Sequence, residues 1–290
     1  MRAYEEKIFF RKGVLRMGGI KKFFSSKLFM TLVWIVLLVV IWEAAAFVVA
    51  QTKRTPENIL PPLSGIVKSV FSTRKINGEQ TALQMVLENA GATLSRAGIG
   101  YLLGIVSGFL LALLMSLWKP VEKIAFPYLM LIQMIPILGM APIINALTGD
   151  IAVSRIIIAA ILTFYPVATN TLAGFKAVRK EQHELMYSYA ASKFQVYTKT
   201  MIPACIPYFF TGLKISAPMA ITASILVDTL QGGIGLGCLL SQALKGAMTR
   251  YVFWQIVFFS AIIGILSYSF MGLLEYILCP YKRAAHKEKE

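Results

Sequence analysis

Charge is scarce in this chain. Of its 290 residues 15% are charged, and only 14 are Asp or Glu; a soluble domain carries about 25% charged residues. Three cysteines, Cys205, Cys238 and Cys279, lie far apart with no CxxC pair, which excludes a disulfide framework and a zinc site. The two histidines, His183 and His286, stand in polar loops or tails, so neither a metal nor a catalytic role is expected of them. No GxxxxGK[ST] occurs, and the chain therefore holds no P-loop for ATP. No nucleophile–base pair or carboxylate pair converges along the sequence, so no enzyme site is expected. The run Gly232–Gly237, "GGIGLG", lacks the strand–turn–helix setting of a dinucleotide fingerprint. It reads as a flexible turn into a re-entrant or surface helix.

What the chain has instead is oil: 57% of residues are hydrophobic and mean hydropathy is +0.67. Uncharged runs cover Ala97–Trp118, Ile124–Thr148, Ile156–Phe175 and Tyr251–Leu274. Leu28–Ala50 is broken only by Glu43, and Cys205–Val227 only by Lys214. A bilayer core of about 30 Å needs about 20 helical residues, and a segment in lipid must pair its own backbone groups. The sequence thus predicts an all-α membrane protein with six transmembrane helices. The opening basic stretch and long apolar run predict an uncleaved first span rather than a signal peptide, despite the small-residue trace at Val48-Val49-Ala50.

The net charge of +15 does not indicate nucleic acid, because the basic residues sit in tails and loops beside the spans. Nineteen Lys and Arg fall on the side of the tails and the Lys176–Lys199 loop, against nine on the other side. The positive-inside rule puts both termini in the cytoplasm. The expected layout is a basic tail (1–27), a first span (28–50), an outer loop (51–95), a core of five spans (96–279) with a cytoplasmic loop at 176–203, and a short tail (280–290). In the outer loop, Leu60-Pro61-Pro62 breaks any helix, and Ser64 or a neighbour caps a short amphipathic helix along the membrane surface.

Several residues stand out within the spans. Pro127, Pro136 and Pro142 interrupt the third run, which suits either a kinked packing helix or a translocation path where freed carbonyls meet water or protein. Met130, Met134 and Met140 nearby suit a flat heteroaromatic ligand or plain packing. Gly98, Gly100, Gly104 and Gly108 form a small-residue ridge for close helix packing. Asp228 ends the fifth span, where it anchors the backbone of a gate, pairs with a base such as Arg155, or meets solute. Lys214 is expected to snorkel toward the cytoplasm.

The stretch Glu184–Ala204, "ELMYSYAASKFQVYTKTMIPA", is polar and helix-compatible between two apolar runs. Its small residues and its aromatic Tyr187, Tyr189, Phe194 and Tyr197 fit a docking surface; a loop resting on lipid headgroups is the rival reading. Two short helices are expected, about 184–191 and 194–200, with Pro203 and Pro207 opening the fifth span.

This stretch resembles the EAA loop of ABC importer permeases, roughly E-A-A-x3-G-x9-I-x-L-P. Glu184 matches the acid, Leu185-Met186 replaces the alanines, Ala190 stands at the glycine, Thr200 at the isoleucine, and Ile202-Pro203 matches the closing pair. Asn89–Met115, Ile135–Gly149, Tyr165–Val178 and Gly232–Ala243 resemble further stretches of the same family, in order. "ILPPLSGIVKSV" resembles its nitrate/sulfonate/taurine branch, whose relatives also import riboflavin and thiamine precursors. The resemblance implies a type I ABC importer permease fold, and a coupling role for Glu184, Ala190, Ala191, Ile202 and Pro203. Candidates for the translocation path or its gate are Met134, Pro136, Asn170 and Asp228. The implied partners are a cytoplasmic ATPase that binds the ATP, an extracytoplasmic solute-binding protein, a second permease copy and the bilayer. No cofactor or metal is expected in this chain. The alternative is an ion-gradient-driven secondary transporter, which calls for inverted repeats and ionisable residues at mid-membrane.

Overall fold

The computed structural model describes residues 27–279 except 54–55, 57–58, 77–78 and 247–249; the two charged tails predicted at either end lie outside the described residues. Apart from an isolated bridge between Lys75 and Thr81, the described elements are helical. The chain divides into two units, residues 1–71 and 72–290.

In the first unit, α1 (Lys27–Thr52) is apolar on all sides and exposes Leu32, Trp34 and Leu38 by about three-fifths. In water that surface would aggregate; in lipid it faces its proper solvent. Its single acid has a local purpose. Glu43 Oε1 accepts the Leu63 N–H at 2.9 Å, at the first residue of α2 (Leu63–Val70). A carboxylate at a helix N-terminus satisfies an orphan donor and complements the dipole. Trp42 Nε1 donates to Pro61 O at 3.1 Å, and Ile66 of α2 is buried. The predicted amphipathic helix is therefore present and tied to α1.

The second unit opens with α3 (Ala82–Leu117), started by a capping box between Thr81 and Gln84. At 36 residues it starts well before the predicted span and absorbs the end of the outer loop. It packs lengthwise on α6 (Ile151–Lys176). A Cβ at Gly100 would sit 2.5 Å from Ile156 O, and one at Gly104 would sit 2.6 Å from Ala160 O. The ridge is thus a packing seam, but Gly98 is outside it, with nothing within 4 Å of its Cβ position. Gly104→Leu is expected to shift the thermal unfolding of the detergent-solubilised protein downward by several degrees, since overpacking costs about 1–3 kcal/mol or more. Gly98→Ala should leave it unchanged. Equal behaviour of the two variants would remove the seam from the account.

The third apolar run is not one helix. It consists of α4 (Lys119–Met134), a 3-10 turn (Ile137–Met140) and α5 (Ala141–Thr148). Pro136 lacks an N–H and biases Ile135 to extended backbone (ψ 131°), which ends α4. Five helices among the described residues are long and apolar enough to cross a membrane: Phe29–Thr52, Ala82–Leu117, Ile151–Lys176, Lys193–Leu230 and Tyr251–Leu278.

The cytoplasm-type loop forms α7 (Lys180–Ser188) and a single turn, α8 (Lys193–Val196), capped by Ser192 and Gln195. The sequence placed a short helix at about 194–200 and opened a separate fifth span at Pro203 and Pro207. Instead a π-helical turn (Tyr197–Met201) leads without interruption into α9 (Ile202–Gln231). Pro203 stands in the first turn of α9, where a missing N–H is tolerated, and the wide turn lets Ile202 N reach Tyr197 O. A short helix, α10 (Leu236–Leu244), and the last long helix, α11 (Arg250–Leu278), complete the chain. Lys214 does not snorkel. Its Nζ meets Glu275 Oε2 at 2.7 Å, binding α9 to α11 through two largely buried charges. Pairing is the cheaper solution where the ends of both side chains lie among apolar helices.

Candidate functional site

Asp228 is fully buried near the end of α9, and side chains from α3 and α6 converge on it. Thr93 Oγ1 of α3 donates to Oδ2 at 2.7 Å. Arg96 Nη2, one turn further along α3, is 3.2 Å from Oδ1. Arg155 Nε of α6 lies 2.9 Å from the same oxygen, a charge contact rather than an aligned hydrogen bond. Asp228 and Arg155 thus pair, as the sequence allowed, but Arg96 shares the carboxylate.

The same side chains hold the glycine turn that follows. Arg96 Nη2 donates to Ile234 O at 2.7 Å, Arg155 Nη1 to the same oxygen at 3.4 Å, and Arg155 Nη2 to Gly232 O. Gly235 N donates to Asn89 Oδ1 at 2.7 Å and Leu236 N to Thr93 Oγ1 at 2.9 Å. Thr93 accepts from the turn and donates to the acid, so its hydroxyl proton direction is fixed. Gly235 has φ +152°, and a Cβ there would overlap the Asp228 carboxylate and stand 2.8 Å from Arg96 Nη2. Only glycine lets the backbone come this close. Asn89, Thr93 and Arg96 went unassigned at the level of sequence. Their spacing of four and three residues puts them on one face of α3, a polar stripe at the start of an otherwise apolar helix.

The candidate coupling residues lie in the α7–α9 stretch. Glu184 pairs with Lys180 at 3.5 Å with both side chains exposed, a contact worth about 0.5 kcal/mol or less. Ala190 has φ +47°, the one positive value among described non-glycine residues. Ala190 N bonds Tyr187 O at 2.9 Å and Ala191 N bonds Met186 O at 3.0 Å, the paired bonds of a Schellman stop. The position aligned with the family's glycine is therefore a left-handed helix end. Around it Leu185, Tyr187, Tyr189 and Phe194 are 55%, 87%, 75% and 76% exposed. Ile202 is half-buried and Pro203 exposed. Tyr197 connects this segment to α3: its hydroxyl donates to Ser116 O at 2.9 Å and its ring lies 6.4 Å from Phe175.

The remaining candidates are separate from both places. Pro136 lines a cavity of about 320 Å³ with Pro166. Asn170 Nδ2 donates to Pro166 O at 2.7 Å, a bond within its own helix. Met134 is 79% exposed and does not line that cavity.

A family model described as "binding-protein-dependent transport system inner membrane component" matches residues 100–276. The chain is 30% identical over 247 residues to a formylaminopyrimidine transport permease of Halalkalibacterium halodurans, covering 85% of this chain and 93% of that one. It is 24% identical to a nitrate import permease of a Synechocystis species, covering 89% and 91%. It is 26% identical to the taurine transport system permease of Escherichia coli, covering 72% and 73%. Among solved structures, the MetNI methionine ABC transporter in an inward-facing form superposes with a TM-score of 0.57 at 15% identity, over 66% of this chain and 95% of that one. An amino acid ABC transporter gives 0.56 at 18% identity, over 73% and 100%. At these identities the structures speak to the fold.

Proposed function

Because this chain belongs to the binding-protein-dependent transport system inner membrane component family, we propose that two copies enclose one solute path, with α7 and α8 seated on a cytoplasmic ATPase. The chain is a membrane-spanning permease subunit of an ATP-driven ABC importer in a bacterial cell membrane, working with an ATPase and a solute-binding protein. In our reading it crosses the membrane six times, the third crossing being the broken α4–α5 pair, and both termini are cytoplasmic. The observation that carries the coupling role is the exposed cluster Leu185, Tyr187, Tyr189 and Phe194, a surface that needs a partner.

These contacts support the following cycle. Closure of the ATPases on ATP moves α7. The π turn carries that displacement directly into α9, and Tyr197 carries it to Ser116 on α3. At the outer end, the Asp228 cluster holds the 232–236 turn against α3 and α6, and acts as the gate's latch. Rocking α9 against α3 and α6 strains the latch and opens the path outward; hydrolysis resets it. Serving as the binding protein's delivery point, the outer face needs no ATP chemistry of its own.

Topology is tested by single cysteines. The native Cys205, Cys238 and Cys279 are all buried, so background labelling is low. Cysteines at Ser72 and Gln182, both exposed, are expected to react from opposite sides in oriented vesicles. Reaction of both from one side would remove the six-crossing layout.

A further inference from the structure

We propose, resting on the importer reading above, that α4 is a strut between the ATPase-docking stretch and the outer latch, and that Lys176 and Glu122 are the positioning residues that seat its inner end. Lys176 closes α6, four residues before α7 begins at Lys180. Its Nζ pairs with Glu122 Oε1 in the first turn of α4. The same Nζ lies 5.9 Å from the centre of the Phe126 ring, within cation–π range. Two contacts of different kinds thus hold one ammonium group on the inner end of α4.

The packing at each end of α4 says what moves with it. Leu129, its one buried residue, sits in a cluster with Phe175, Met201 and Cys205. Phe175 precedes Lys176, Met201 ends the π turn, and Cys205 lies in the second turn of α9. All three flank the docking stretch. Further out, Ile132 packs against Ile137, Ala141, Ile158, Ala223 and Val227. Val227 is the neighbour of Asp228 in the latch. Between these two clusters α4 is continuous, even across Pro127, and from Glu122 to Ile132 it advances about 15 Å. A helix packed at both ends passes a displacement on as a body, because close-packed interiors yield little. This route reaches the latch from α4 and α5, beside the route through the π turn and α9.

The pair has a plainer role as well. Glu122 stands in the first turn of α4 and Lys176 in the last turn of α6, where each complements a helix dipole. Both side chains are partly exposed, so the pair adds little to folding. The strut and the dipole roles predict opposite results when the two charges are exchanged.

The experiment uses the whole complex of this chain, its ATPase and its binding protein in proteoliposomes. A bimane fluorophore on Met134→Cys, an exposed position at the outer end of α4, reports movement of the strut; the native Cys205, Cys238 and Cys279 are buried. ATP with vanadate, which holds the ATPases closed, is expected to change the emission. Glu122→Gln and Lys176→Met are each expected to reduce that change by about fivefold, while ATP hydrolysis stays within about twofold of the parent. Lys176→Arg keeps the charge and stacks on the ring, so it should keep the change. Glu122→Lys combined with Lys176→Glu restores the pair but reverses both dipole charges. It should recover about half of the change or more, whereas a dipole role alone gives this variant the lowest value of the set. Parent-level change in both single variants, a smaller change in the exchange than in either of them, or constant emission in a complex that hydrolyses ATP would each overturn the strut. Failure of the importer reading shows differently, as absence of the ATPase from the purified complex, and removes the strut with it.

Discussion

Replacing Asp228 by alanine is expected to abolish ATP-driven uptake and to destabilise the protein at the same time. The side chain is fully buried, accepts hydrogen bonds from Thr93 and Arg96, and pairs by charge with Arg155. Removing it leaves two guanidinium groups together, one of them only 3% exposed. Breaking a buried pair by deleting one partner costs about 3–5 kcal/mol, because the other charge remains. Asp228→Asn keeps an acceptor for Thr93 but not the charge, so it should lower uptake by about tenfold while losing less stability. Adding Arg155→Gln to Asp228→Asn should recover part of the unfolding temperature, as coupled neighbours do. The measurements are uptake at equal expression and thermal unfolding in detergent. Wild-type uptake and unfolding by Asp228→Ala would remove the latch from the account.

A single charge on the docking face should separate assembly in the membrane from coupling. Tyr187 is 87% exposed and next to the helix stop, so Tyr187→Arg perturbs nothing in the free subunit. In the complex it would put an unpaired charge in a desolvated contact. A loss of about 2–4 kcal/mol of binding is expected, or on the order of 30-fold or more. The variant should insert normally and fail to co-purify with the ATPase. Ala190 gives the opposite test. Its left-handed backbone costs an L-residue roughly 1–2 kcal/mol, so Ala190→Gly should bind at least as well and stabilise the helix end. ATPase retention by Tyr187→Arg at wild-type level would make this segment a loop resting on headgroups.

The sequence and the structure agree where a physical signal is local and periodic. Apolar runs, the glycine seam at Gly100 and Gly104, and the short α2 were all legible, because each depends on spacing along one helix. The broken third run was half legible. Pro136 announced the break, yet nothing local fixed whether α4 would kink or end. The continuity of α8 into α9 was missed, since Pro203 reads as a boundary until the π turn makes room for it. Long-range pairs were the least legible. Lys214 looked like a snorkelling base because Glu275 is 61 residues away. Glu43 showed in the sequence only as a break in the first apolar run, because the Leu63 N–H it serves is 20 residues away. Arg96 was counted among the outer-side basic residues and lay within the family-like stretch Asn89–Met115, but no role was assigned to it, though its register with Asn89 and Thr93 was visible. The Asp228 partners come from two other helices, α3 and α6, and only tertiary contact selects Arg96 and Arg155 from the basic residues available.

The central claim is that this chain moves solute only when a partner hydrolyses ATP. The most direct measurement compares two sets of proteoliposomes, each supplied outside with solute-loaded binding protein. One set holds the chain with its ATPase and enclosed ATP; the other holds the chain alone under an imposed proton or sodium gradient. Uptake is expected in the first set, dependent on hydrolysis, and absent from the second. Gradient-driven uptake by the chain alone, with no ATPase present, would contradict the account and return the chain to the secondary transporters.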